Sequence, residues 1–266
     1  MTEFKTIEIS YPRTGIALAT LNRPQRLNAI TFEMFDEFIA LQQQIDADQD
    51  IRTLVVTGSG RGFCAGLDLD CAAQLPDMTT TEMMRGQQQW GVAVAGFRHM
   101  STPVIAAVNG PAAGAGMGLA LAADIRIASD TARFNAAFVK VGLSGGDVGT
   151  SWALPRLVGL ARATEILLTG RFVAADEALR IGLVTDVTST DSLLDKAFEI
   201  GEMIASNSPF GMTLTKQVIQ QNVDAPSLDA AIALENRNQV LAARTADMRE
   251  ALAAFREKRK PEFAGN

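Results

Sequence analysis

Side chains able to do chemistry are scarce in this sequence. Among 266 residues there is one histidine, His99, one tyrosine, Tyr11, and two cysteines, Cys64 and Cys71. A single histidine excludes a multi-histidine metal centre, and the cysteine spacing matches no zinc-ligand pattern, so no metal site is expected. Carboxylates are plentiful, and two glycine-rich loops offer backbone N–H groups. These are Arg61-Gly62-Phe63-Cys64-Ala65-Gly66-Leu67-Asp68-Leu69 and Asn109-Gly110-Pro111-Ala112-Ala113-Gly114-Ala115-Gly116-Met117-Gly118. Glycine permits positive φ and close backbone approach, so such loops can aim amides outward, and a helix that opens there adds a positive end. The chemistry therefore rests on carboxylates, main-chain amides or shape.

The second loop does not fit a dinucleotide site. Its glycines at 114, 116 and 118 put Leu119 where a sixth-position glycine belongs, and Asp124 comes far short of the ~20-residue offset of a ribose-binding acid. No Gly-Lys-Ser/Thr follows either loop, which excludes a P-loop. Asp147, in Gly145-Gly146-Asp147-Val148-Gly149-Thr150, is the isolated carboxylate of interest. Two readings stay open for it: a proton carrier whose pKa an apolar surround would raise, or a cap for a helix starting near Gly149. Asp68 reads as a brace for its own loop, and Ser144, Thr150 and Ser151 as turn residues. His99 ends a helix before Pro103, where the helix dipole suits a histidine without any catalytic task. Phe138, Trp90 and Met117 read by default as core.

Strand and helix signals alternate around these loops. Ile16–Leu21 reads as a strand, and Thr31 as the N-cap of a helix carrying Met34, Phe35, Phe38, Leu41 and Ile45. Leu54–Val56 is a buried strand; a helix runs from about Thr80 through His99. The uncharged stretch Val104–Ala123 has small residues at Gly110, Gly114 and Gly118, a spacing used by membrane helices. Pro103 and Asn109-Gly110-Pro111 break it, so it splits into strand Val104–Val108, a turn and a short buried helix, and no membrane span is expected. Strand Asp124–Ala128 follows. From about Asp191 the pattern is helical, over 191–206, 209–221 and 227–256. The sum is an α/β core of largely parallel strands, residues 1–195, and a helical region, residues 196–266.

Composition narrows the function classes. With 24 Lys+Arg against 30 Asp+Glu the net charge is −6, so no basic field for nucleic acid is expected. The 47% hydrophobic and 20% charged fractions are those of an ordinary globular protein. Met1–Thr20 lacks a basic and apolar leader pattern, and so few cysteines suit a reducing compartment, so the expected location is cytoplasmic.

Several segments together resemble the enoyl-CoA hydratase/isomerase (crotonase) superfamily. They are Leu21-Asn22-Arg23-Pro24-Gln25-Arg26-Leu27-Asn28-Ala29, the loop from Gly62 to Leu69, Ala107-Val108-Asn109-Gly110 and Ala123-Asp124-Ile125-Arg126. Further on come Leu154-Pro155-Arg156, Leu168-Thr169-Gly170-Arg171, Ile181-Gly182-Leu183-Val184 and Lys258-Arg259-Lys260-Pro261-Glu262-Phe263. The resemblance implies a spiral of ββα units, a C-terminal helical trimerisation region, and a homotrimer or a hexamer built as a dimer of trimers. It implies an acyl-CoA substrate, with coenzyme A entering as part of the substrate and no prosthetic group, and a place in fatty acid metabolism.

By position, the resemblance implies that the N–H groups of Leu67 and Ala115 hold the thioester oxygen of an enolate-type intermediate. Gln25, Arg26, Leu27, Ala65 and Leu69 would line the coenzyme groove, and Lys258 would approach the coenzyme of a neighbouring subunit. Two family glutamates are missing: their positions hold Gly118 and Phe138. Asp147 resembles the aspartate of dienoyl-CoA isomerases and aromatic acyl-CoA dehalogenases. Three functions follow: a hydratase/isomerase-type enzyme in which Asp147 moves the proton, a dehalogenase or other thioester conversion with Asp147 as nucleophile, or a non-catalytic acyl-CoA binder.

Overall fold

The computed structural model describes residues 4–265, so the first three residues of the Met1–Thr20 stretch lie outside it. The chain opens on an antiparallel pair, β1 (Ile7–Arg13) and β2 (Ile16–Leu21), followed by α1 (Phe32–Ala47) and β3 (Thr53–Gly58). Next come the single turn α2 (Leu69–Ala72), α3 (Thr80–His99), β4 (Val104–Val108), β5 (Pro111–Ala113) and α4 (Ala115–Ala122). Then follow β6 (Ile125–Ser129), β7 (Arg133–Asn135), α5 (Thr150–Val158), α6 (Leu160–Thr169), β8 (Val173–Ala174), α7 (Ala175–Arg180) and β9 (Asp186–Thr188). The remainder is helical: α8 (Leu193–Ala205), α9 (Pro209–Asn222), α10 (Leu228–Ala242) and α11 (Ala246–Glu257).

Six strands form one sheet in the order β1-β2-β3-β4-β6-β9, parallel from β2 onward. The strand β1, which the strand signals above do not include, is mostly exposed, with only Ile7 buried. Strands β3 and β4 are buried at every position, as expected of parallel strands covered on both faces. Successive side chains point to opposite faces. Leu54, Val56, Val104 and Ala106 meet the main core with α1, α3 and α4, while Val55, Ile105 and Ile127 meet Leu193, Ala197 and Phe198 of α8. Helix α8 thus runs continuously across positions 195 and 196 and lies on the sheet. A second, small sheet joins β5, β7 and β8.

Local chemistry explains the helix starts. Thr31 accepts a hydrogen bond from the Met34 amide at 3.2 Å, and Thr79 with Glu82 makes a reciprocal capping box for α3. The stretch read as one helix over 227–256 is two helices. Thr245 breaks it by accepting from the Met248 amide at 3.2 Å, capping α11 as it would any helix start. The apolar run 104–123 is a strand, a short strand and a helix, and among the described residues no helix is long and apolar enough to cross a membrane. Buried Lys216 fastens α9 to the sheet end: its ammonium lies 2.7 Å from Asp124 and donates to the Thr102 carbonyl at 2.9 Å.

Candidate active site

The two glycine-rich loops are stitched together by main-chain bonds. The Cys64 amide donates to the Pro111 carbonyl at 3.1 Å, and the Ala113 amide to the Cys64 carbonyl at 2.9 Å. On the other side Leu67 sits in a parallel bridge opposite Ile30. In that bridge the Ile30 amide bonds to the Gly66 carbonyl at 2.7 Å, and the Asp68 amide to the Ile30 carbonyl at 2.8 Å. Alternation of backbone direction then turns the Leu67 N–H away from Ile30. Ala115 is the first residue of α4, so its N–H is one of the helix's unpaired initial donors. Gly66, at φ +90, brings the first loop against the second: a Cβ there would lie 2.7 Å from the Ala113 oxygen and 3.4 Å from the Ala115 nitrogen. Neither amide donates to another group among the described residues.

The first loop is braced from below. Arg23 forms an ion pair with the buried Asp68 at 2.9 Å and also bonds to the Ala29 carbonyl. Asp68 in turn accepts from the Asp70 amide at 2.9 Å, capping α2. Burial opposes ionisation of Asp68, but the Asp70 amide and the Arg23 guanidinium outweigh it and hold the carboxyl below its ordinary value. Asp68 does brace its loop, as the sequence suggested. Its partner Arg23 could not be read off the sequence, because the two are 45 positions apart.

Leu67, Ala115 and Asp147 border one apolar cavity of about 160 Å³, which Ala65, Leu69, Trp90 and Phe138 also line. Trp90 is held there by stacking on Phe32 and Phe35, with ring centres 5.0 and 5.8 Å apart. Met117 is fully buried and belongs to the core. Gln25, Arg26 and Leu27 do not line the cavity. They lie on the adjoining turn, which the Ala65 amide joins through the Leu27 carbonyl at 3.0 Å. Arg26 is exposed and faces Asp70 at 3.2 Å. Lys258 is exposed at the end of α11, in the left-handed region at φ +57, and does not touch this cavity.

Asp147 is half-buried, and its Oδ1 accepts from the Val148 amide at 2.8 Å. The first residue before α5, Gly149, has no side-chain cap, so Asp147 does not cap that helix. Burial lifts the Asp147 carboxyl above its ordinary value, and the Val148 N–H offsets only part of this. Thr150, read from sequence as an ordinary turn residue, clamps the turn instead. It is buried, accepts from the Asp147 amide at 3.2 Å, and its hydroxyl lies 2.9 Å from the Gly145 carbonyl. His99 is exposed at the end of α3, away from this cavity.

The two positions where the family resemblance called for glutamate are filled by apolar groups. A Cβ on Gly118 would lie 2.5 Å from Val148 Cγ2, so the Val148 side chain occupies the space a side chain at 118 would need. Val148 adopts φ +40, an unfavourable conformation for a β-branched residue. Phe138 covers Gly114, its ring 3.6 Å from where a Cβ would be. Gly118→Glu is therefore expected to destabilise the protein by ~1–3 kcal/mol, as overpacking does, and to create no hydration activity. Urea titration and a hydration assay check both; a well-folded G118E hydratase would show that the space is available.

The sequence profile of the enoyl-CoA hydratase/isomerase family matches residues 12–266. The chain belongs to this family. It is 41% identical over 260 residues to "Probable enoyl-CoA hydratase echA12" of Mycobacterium bovis, covering 96% of this chain and 91% of that protein. It is 40% identical over 262 residues to the 1,2-epoxyphenylacetyl-CoA isomerase of Escherichia coli, covering 97% and 98%. A crystal structure of a probable enoyl-CoA hydratase/isomerase from Mycobacterium abscessus superposes with a TM-score of 0.90 at 41% identity, covering 98% and 100%. The α/β crotonase fold expected from the sequence is thus the fold of this enoyl-CoA hydratase/isomerase family member, with helices at its C-terminus.

Proposed function

We propose that this chain is an acyl-CoA isomerase in which one carboxylate, Asp147, carries the proton in both directions. The observation behind this reading is the joint placement of two unpaired N–H donors and a single raised-pKa carboxyl on one apolar cavity. The thioester oxygen would accept from the Leu67 and Ala115 amides, which lowers the energy of a dienolate formed beside it. Asp147, ionised, would take a proton from Cα of a 3-enoyl thioester and return it to Cγ, moving the double bond into conjugation. One group suffices because the proton removed is the proton delivered. Hydration needs a water activated and a proton supplied, and neither glutamate is present for it. A raised carboxyl pKa favours such a shuttle over a nucleophile, which must stay ionised.

Coenzyme A would leave the cavity past Ala65 and Leu69 and run over Gln25, Arg26 and Leu27. No prosthetic group enters the reaction. Lys258 is assigned to the coenzyme of a neighbouring subunit. The trimer, or hexamer as a dimer of trimers, is supported by apolar side chains left open on the helical region 196–266, among them Leu228 at 74%, Val240 at 60% and Phe255 at 84% exposure. Elution of the protein as a 28.4 kDa monomer at micromolar concentration would overturn the assembly. The reaction is tested on paired 3-enoyl- and 2-enoyl-CoA substrates. Conversion of the first to the second, with little hydration of either, is the expected result. Tight binding without turnover would leave an acyl-CoA binder instead.

A further inference from the structure

A second cavity, of about 240 Å³ and largely apolar, adjoins the first at Val148. Three elements run from one to the other. Along α4, Gly114 and Ala115 line the first cavity and Gly118 and Ala122 the second, on one helical face. Along α3, Trp90 lines the first and Arg98 the second. On the segment before and into α5, Asp147 lines the first and Trp152 the second, while Val148 borders both. Val148 is therefore the partition, seated against Gly118, whose missing Cβ leaves it room.

The far end of this second cavity is charged in an unbalanced way. Half-buried Arg98 holds its guanidinium 4.7 Å from the centre of the Trp152 ring. Arg156 lies 4.0 Å from the same ring but is paired with Asp224 at 2.9 Å. Arg98 has no such carboxylate partner among the described residues. Its surroundings are already rich in cations. Burial foremost, and the Arg98 charge in addition, hold Lys216 and Arg126 below their ordinary pKa values, against the opposing pull of Asp124. A cation bordering an apolar cavity without a carboxylate partner can take the head of an anion carried on an apolar stem.

We propose that the acyl group extends past Val148 into this second cavity and ends in a carboxylate bound by Arg98, so that the preferred substrates are coenzyme A thioesters of dicarboxylic acids. The inference rests on the acyl-CoA reading above. The span from Ala115 to Ala122 is about 10 Å at ~1.5 Å per residue. An extended chain advances about 1.25 Å per carbon–carbon bond, so roughly nine carbons, an octanoyl chain with its added carboxylate carbon, cover it. Shorter chains would leave their carboxylate stranded among apolar side chains near Val148.

The test is direct binding, by titration calorimetry, of saturated acyl-CoAs from butanoyl to decanoyl, each compared with its counterpart bearing a terminal carboxylate. Saturated thioesters do not react, so the readout is independent of turnover. In the wild type the carboxylate should weaken binding at the butanoyl length and strengthen it on the order of tenfold near octanoyl, the scale of a charge-assisted hydrogen bond. Arg98→Met should abolish that advantage at every length, and Arg98→Lys should restore part of it, which separates charge from packing on Trp152. A wild type that never prefers the carboxylate overturns the inference, whether or not the variants fold. So does a preference that survives Arg98→Met. Failure to bind any acyl-CoA would refute the reading of the whole site, whereas binding without preference refutes only the role of Arg98.

Discussion

Asp147→Asn is expected to lower kcat for enoyl-CoA isomerisation by ~10²–10⁴-fold, the usual contribution of a positioned acid/base. Affinity for a saturated acyl-CoA should remain, because the amides of Leu67 and Ala115 and the apolar walls are untouched. In the wild type, kcat/KM should fall on the acid side with a pKa above that of an ordinary carboxylate, since burial raises the Asp147 value. The same substitution should raise Tm near neutral pH. A carboxyl whose folded pKa is raised contributes stability fully below its unfolded value, ~3.9. That contribution is lost as pH rises through the folded pKa. At neutral pH the wild type keeps a desolvated charge that asparagine lacks, and in strong acid the two should converge. Unchanged kcat would remove Asp147 from the mechanism, and a lower Tm at neutral pH would contradict the electrostatic account.

A second large effect is expected from Gly116→Ala. The added methyl would lie 2.0 Å from the Cys64 carbonyl oxygen and 2.7 Å from its carbon. Both are backbone atoms of a buried residue, so no side chain can swing aside. The first turn of α4 must then retreat from the loop that carries Leu67, and the two N–H groups no longer converge. Losing one such donor costs ~2.7–4 kcal/mol of transition-state stabilisation, or roughly 10²–10³ in kcat. Unfolding by urea should show an accompanying loss of ~1–3 kcal/mol from overpacking. Gly91 provides the control, since nothing lies within 4 Å of where its Cβ would be. A G116A enzyme with wild-type kcat would mean that the convergence of the two loops is not needed.

What could be read from the sequence was whatever depended on neighbours along the chain. Thr31 announced its helix, the apolar run 104–108 its buried strand, and the glycine-rich loops their outward amides. The ordered motifs from Leu21 to Phe263 carried the family and, through it, the positions of Leu67 and Ala115. Most of the contacts that hold these residues join partners distant in sequence, and none leaves a periodic trace. No periodicity shows that Arg23 holds Asp68, that Thr150 clamps the turn of Asp147 three residues before it, or that Val148 fills the space beside Gly118. The absence of glutamate at 118 and 138 was legible; that the vacated volume had been taken up by Val148 and Phe138 was not. That Asp147 does not cap α5 likewise shows only in the bonds it makes, since its carboxylate turns back to Val148.

Cys64 has a use that has nothing to do with the reaction. Its thiol is fully enclosed between the two loops, and burial pushes its pKa up to about 12. In the closed protein it is therefore invisible to an alkylating reagent, which needs both access and thiolate. Every adduct at Cys64 records a moment when the packing around it, which includes the loops bearing Leu67 and Ala115, had opened. The rate of its modification, compared with that of an unfolded chain, measures the free energy of that opening directly. The protein thus carries its own clock for the convergence of the two loops, and any ligand that bridges them should slow it.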